Sequence, residues 1–170
     1  MPTAIKPSAS FYAKFNTLKK NGLTVTEAKV LLSKADQEIK TSKDPIKLGN
    51  AFQKEVRGWA AKGLSDYGTR DMGEMFISAS VDKRVTKDAV SYLKANGAAL
   101  ASKHPSLKNV DFKSLKVMSA YESCFIVVKN KQGETLSETR PESKLLQKLL
   151  ASAVPSAKHV PVGVPKFILE

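Results

Sequence analysis

Apolar positions along the first hundred or so residues recur at three- and four-residue intervals, and beyond Pro105 they crowd into short β-branched runs. The first pattern predicts helices and the second strands, so the expected fold is α+β: about five short helices, then a three- or four-stranded antiparallel sheet with one covering helix. Ser10 caps a first helix whose Phe11, Phe15 and Leu18 share a face, and Asn21-Gly22 closes it. Thr24 with Glu27 three residues on has capping-box spacing, and Ala28, Leu31, Leu32, Ala35 and Ile39 mark the buried face of a helix over 25–41. The third start is the clearest, with Asp44 as N-cap, Pro45 where a missing N–H costs nothing, and Leu48, Phe52, Val56 and Trp59 in register behind them. A fourth helix is expected to carry Met72, Met75, Phe76 and Ala79, starting near Thr69 or Asp71. A fifth begins after Thr86 with Val90 and Leu93, and Asn96-Gly97 either ends it or interrupts it before Pro105.

Past Pro105, Cys124 to Lys129 is a continuous β-branched and aromatic run of the kind found in a central strand. Leu115 to Tyr121 precedes it, and Glu134 to Glu138 follows a turn at Asn130 to Gly133, which predicts a meander. Pro141 opens a last helix with Leu145, Leu146, Leu149, Leu150 and Val154 as its apolar stripe. The segment from Pro155 to Pro165 is expected to be extended, and Lys166 to Glu170 to form either a terminal edge strand or a docking peptide. The change of period divides the chain into a helical part, 1–105, and a β-rich part, 106–170, forming one compact domain or a domain with a subdomain.

One internal echo stands out. Leu23-Thr24-Val25-Thr26-Glu27-Ala28 with Leu31 overlays Val85-Thr86-Lys87-Asp88-Ala89-Val90 with Leu93, and the pattern resembles the exit from an EF-hand loop. That resemblance implies oxygen ligands at Asn16, Leu18 and Lys20 in the first copy and at Ser78, Ser80 and Asp82 in the second, where Ala89 replaces the closing Glu. Neither set makes a normal calcium site, so the echo reads as two Thr-capped helix starts.

The composition then narrows the chemistry. In 170 residues, 28 basic side chains face 16 acidic ones for a net charge of +12, and only Arg57, Arg70, Arg84 and Arg140 are guanidinium groups. The single Cys124 excludes an internal disulfide framework and a Cys-based metal site, making a reducing, cytoplasmic setting the default expectation. No run of apolar residues approaches a signal peptide or a membrane span. Catalysis through Cys124 needs His104 or His159, one at a helix end and the other in the Pro-rich tail, and the carboxylate pairs Asp71/Glu74 and Glu138/Glu142 read as solvated surface. No phosphate-binding glycine loop or metal-binding spacing occurs, so no enzyme activity and no cofactor are expected.

Two binding classes remain. The leading expectation is a module that contacts a protein partner, or a second copy of itself, through the tail residues Val162, Val164, Phe167, Ile168 and Leu169. The other is non-specific binding of nucleic acid by a Lys-rich helical face of Lys14, Lys19, Lys20, Lys29 and Lys34, for which charge is the only warrant.

Overall fold

A computed structural model describes residues 25–59, 67–120 and 123–169. The fold is α+β, with helices α1 (Val25–Thr41), α2 (Pro45–Arg57) and α3 (Tyr67–Lys103), strands β1 (Lys116–Ala120), β2 (Ser123–Lys129) and β3 (Thr135–Leu136), and then helices α4 (Pro141–Ala153) and α5 (Lys166–Leu169). Contacts divide the chain into two units, Met1–Arg84 and Val85–Glu170, with the boundary inside α3. The helix expected to start at Ser10 lies outside the described residues.

In the first unit, the faces read from the spacing of α1 and α2 are buried: Ala28, Leu31, Leu32, Ala35 and Ile39 meet Leu48, Phe52, Val56 and Trp59 in one cluster with Ile77 of α3. Asp44 caps α2 by accepting from the Lys47 N–H at 3.2 Å, with Pro45 at the first helical position. The last carbonyls of α1, which a helix leaves without internal partners, are taken by Arg84, whose Nη1 donates to Ile39 at 2.9 Å and Lys40 at 2.7 Å.

The expected fourth and fifth helices are one helix. No proline interrupts Tyr67–Lys103, and Thr86, read as a cap, is a buried mid-helix residue. The second copy of the EF-hand-like pattern is therefore helix throughout, with no loop to hold an ion. The inward stripe also differs from the expected one: Gly73, Ile77 and Ser80 are buried, while Met75 and Phe76 are exposed. A glycine and a serine occupy the inner face because the neighbouring helices approach closely there and Asp36 accepts the Ser80 hydroxyl at 2.6 Å. Gly97 does not end the helix either. The Phe112 ring lies against the helix at that position, where a β-carbon would stand 2.5 Å from the ring.

The second unit is built on β2. Strand β1 pairs with it antiparallel, Val117 opposite Ile126 and Met118 opposite Phe125, and β3 pairs on the other side, Leu136 opposite Val128. The tail joins the same sheet, but in parallel and earlier than expected. Val162 bridges Ile126 and Val164 bridges Ser137, while Lys166–Leu169 is a helical turn instead of an edge strand. Gly163, at φ +92, separates the two bridges.

A duplication organises this unit. Residues 100–110 and 150–160 match at seven of eleven positions, at a constant offset of fifty, including Leu-Ala-Ser and Pro-Ser-x-Lys-x-Val. Both copies end a helix in the same way. The N–H of His104 donates to Leu100 at 2.8 Å and that of Val154 to Leu150 at 2.8 Å, after which Pro105–Leu107 and Pro155–Ala157 form matching 3-10 turns. Leu107 and Val110 are buried in one copy, Ala157 and Val160 in the other. Each copy thus stops a helix with proline, anchors the turn with two apolar side chains and leads to one side of β2, the first through a bridge of Val110 to Asn130 and a further 3-10 turn at Phe112–Ser114, the second directly.

Candidate interaction surface

The tail residues singled out from sequence separate into two groups. Val162 and Val164 are buried within the chain's own sheet, and so are not available to a partner in this fold. Their burial follows from hydrogen bonds on both flanks: the Ile126 N–H donates to Pro161 at 3.0 Å, the Gly163 N–H to Ile126 at 2.9 Å and the Glu138 N–H to Val164 at 2.9 Å. Beyond Pro165 the chain turns outward. Ile168 packs, half-buried, on a cluster of Phe125, Val127 and Val164, which Ala120 also touches. With Ile168 as the anchor of α5, the side chains on either side of it are presented to solvent, Phe167 at 57% and Leu169 at 52% exposure.

Register adds a residue that sequence spacing left among the strand positions. Met118 stands opposite Phe125 and shares its face of the sheet, and it is 38% exposed. The cluster of Phe125, Val127 and Val164 therefore has exposed apolar groups contributed by both β1 and α5. Alternation along β1 would have placed Met118 with Lys116 and Ala120, but only pairing with β2 shows which face that is.

Of the basic candidates, Lys29 and Lys34 fall among the described residues. Lys14, Lys19 and Lys20 lie outside the described residues, Lys29 is exposed on α1 and Lys34 is half-buried on the same helix. These last two are five residues apart, about 140° around the axis, so they do not form a stripe.

Two of the candidate carboxylates have a basic neighbour. Glu74 pairs with Arg57, and Arg140 Nε lies 3.5 Å from Glu142. Cys124 is half-buried, with the Ser119 hydroxyl 3.8 Å from its sulfur. Among the described residues there is no grouping of three or more His, Cys, Asp or Glu side chains able to hold a metal ion, and no helix is long and apolar enough to cross a membrane. A cleft of about 190 Å³ opens in the first unit between α2 and α3, lined by Asn50, Gln53, Ser78 and Asp82 among others. Gln53 Nε2 closes part of it by donating to the Ser78 hydroxyl at 2.6 Å and to the Glu74 carbonyl at 3.2 Å. The space is smaller than the several hundred Å³ typical of small-molecule sites.

No family model, curated protein or solved structure matches the chain. The functional reading therefore rests on the surface itself.

Two carboxylates of the first unit have displaced pKa values. Burial raises that of Asp36, but the hydrogen bond from Ser80 and the charges of Lys40 and Lys83 outweigh it and hold the carboxyl below its usual value. Asp82 lines the cleft, and partial burial pushes the pKa of its carboxyl up.

Proposed function

We propose that the chain is a non-enzymatic binding or assembly module that acts through protein–protein contacts made by its second unit. The observation that carries this reading is the exposure of Met118, Phe167 and Leu169 on two elements, β1 and α5, that share one apolar cluster. Large apolar side chains are common singly on protein surfaces, whereas several exposed on elements that share one cluster mark a candidate interaction site. Phe and Met are also enriched at protein interfaces relative to the rest of the surface.

The test is selection of a random peptide library on the immobilised chain, with binding of the selected peptides measured on the Phe167→Ser/Leu169→Ser variant. The reading expects convergent peptides that lose at least about tenfold in affinity on that variant. Peptides that bind the variant as well as the parent, or a selection that does not converge, would overturn it.

The net charge of +12 favours one other reading, a non-specific nucleic-acid-binding protein using Lys29, Lys34 and the lysines preceding them. It expects micromolar binding to random-sequence duplex that collapses between roughly 50 and 200 mM salt.

A further inference from the structure

The outward edge of β1 has the geometry of a strand acceptor. On the inner side of the ladder, Ile126 stands opposite Val117, yet its N–H and C=O are engaged on the far side of β2, by Pro161 at 3.0 Å and by Gly163 at 2.9 Å. Val117 and Ile126 are therefore a non-hydrogen-bonded pair, and the N–H and C=O of Val117 point away from β2. The same alternation turns those of Ser119 outward, two residues on. Among the described residues no segment pairs with this edge.

Edges of this kind are ordinarily blunted by proline, bulges, charge or a covering element. Here β1 has no proline, its one charge is Lys116 at the first position, Met118 is exposed, and among the described residues nothing pairs with the outward edge of Val117 to Ala120. We propose that this edge takes up an extended, acidic segment of a partner protein, which adds to the sheet as a further strand. The proposal deepens the reading of the second unit as a protein-binding surface and rests on it.

Charge selects the occupant. Between residues 105 and 120 the only carboxylate is Asp111, which is used to accept the Lys113 N–H, while Lys108, Lys113 and Lys116 are exposed. The second unit as a whole carries 13 basic and 7 acidic residues. A second copy of the chain would bring the same positive charge to the same edge, whereas a segment with a carboxylate beside Lys116 and an aliphatic side chain beside Met118 meets both requirements at once.

The probe is a short synthetic threonine-rich peptide with one Glu and one Val two positions apart, so that both stand on the face shared by Lys116 and Met118, compared with its Lys-for-Glu counterpart, with amide exchange followed at Val117 and Ser119. The acidic peptide is expected to bind at least about tenfold tighter than the basic one and to slow exchange at both amides. Ser119→Pro, which removes an outward N–H without touching the β1–β2 ladder, should weaken it about tenfold, and Ser119→Ala should not. Lys116→Glu, which leaves the backbone edge intact, should reverse the preference between the two peptides.

Equal binding of both peptides, unchanged exchange at Val117 and Ser119, or full binding by Ser119→Pro would each overturn the proposal. So would protection of these amides by duplex DNA to the same extent, or protection without any ligand accompanied by a doubled mass in light scattering. If library peptides depend on Phe167 and Leu169 while exchange at the edge stays unchanged, the edge proposal fails and the broader reading stands. If no peptide of either kind binds, both fail.

Discussion

Gly163→Ala should be among the most damaging single-methyl changes in the second unit. The residue sits at φ +92, a region that costs a side-chain-bearing residue about 1 kcal/mol or more. Its new β-carbon would also stand 2.7 Å from the Ser143 hydroxyl oxygen and 2.8 Å from both the Cα and the N of Glu138. Two of those three atoms are backbone and cannot rotate away, so crowding adds roughly 1–3 kcal/mol. The displaced Glu138 N–H is also the donor to Val164 at 2.9 Å, and weakening that bond adds up to about 1 kcal/mol. The total is roughly 3 kcal/mol. Gly133 provides the control, because it shares the backbone region at φ +84 but has nothing within 4 Å of a β-carbon, so Gly133→Ala should cost only the conformational part, about 1 kcal/mol. The assay is native-state amide exchange at Glu138 and Val164, which reads the local opening directly and does not assume that the two units unfold together. Equal costs for the two substitutions, or a neutral Gly163→Ala, would refute the reasoning.

Other predictions follow from the buried hydroxyl, the helix end and the two displaced carboxylates. Ser143 is fully buried and its hydroxyl has no hydrogen-bond partner, so Ser143→Ala should be neutral or stabilising by up to about 1 kcal/mol and should relieve part of the Gly163→Ala cost; a loss of stability would show a missing partner. Arg84→Ala strips the donor from the last carbonyls of α1 and should destabilise the first unit by about 1–2 kcal/mol in urea unfolding followed through Trp59, the only tryptophan. Asp36 and Asp82 should act with opposite sign. The lowered pKa of Asp36 means that its stabilisation is present above the unfolded value near 3.8 and is lost as pH falls through the folded value, a dependence that Asp36→Asn should abolish. The raised pKa of Asp82 means that the folded state holds its proton longer, so stability falls as pH rises from 3.8 through the folded value, and Asp82→Asn should stabilise at neutral pH.

How much of this was legible depended on whether one segment contained its own explanation. The inner faces of α1 and α2 could be read residue by residue because spacing, cap and apolar content agree, as at Asp44-Pro45 followed by Leu48, Phe52 and Val56. The long α3 was hidden because its inner face uses Gly73 and Ser80, residues that look like breaks until Asp36 and the neighbouring helices are in place. Similarly, Asn96-Gly97 looks like a helix stop, but the ring that requires a glycine there is Phe112, fifteen residues away. The duplication at 100–110 and 150–160 is present in the sequence as a constant offset, while the second copy of the weaker Thr-based echo lies within a continuous helix. The tail was legible only in part: its valines face inward through parallel bridges, and the place of Met118 on the face of Phe125 follows only from its register.

A bound partner should leave its mark on β1 and α5. In a titration of the chain with a library-selected peptide, followed by methyl and amide NMR, the largest shifts are expected at Met118, Phe167 and Leu169. Shifts confined to α1 or to the cleft lined by Asn50 and Asp82, with Met118 and Leu169 unmoved, would contradict it.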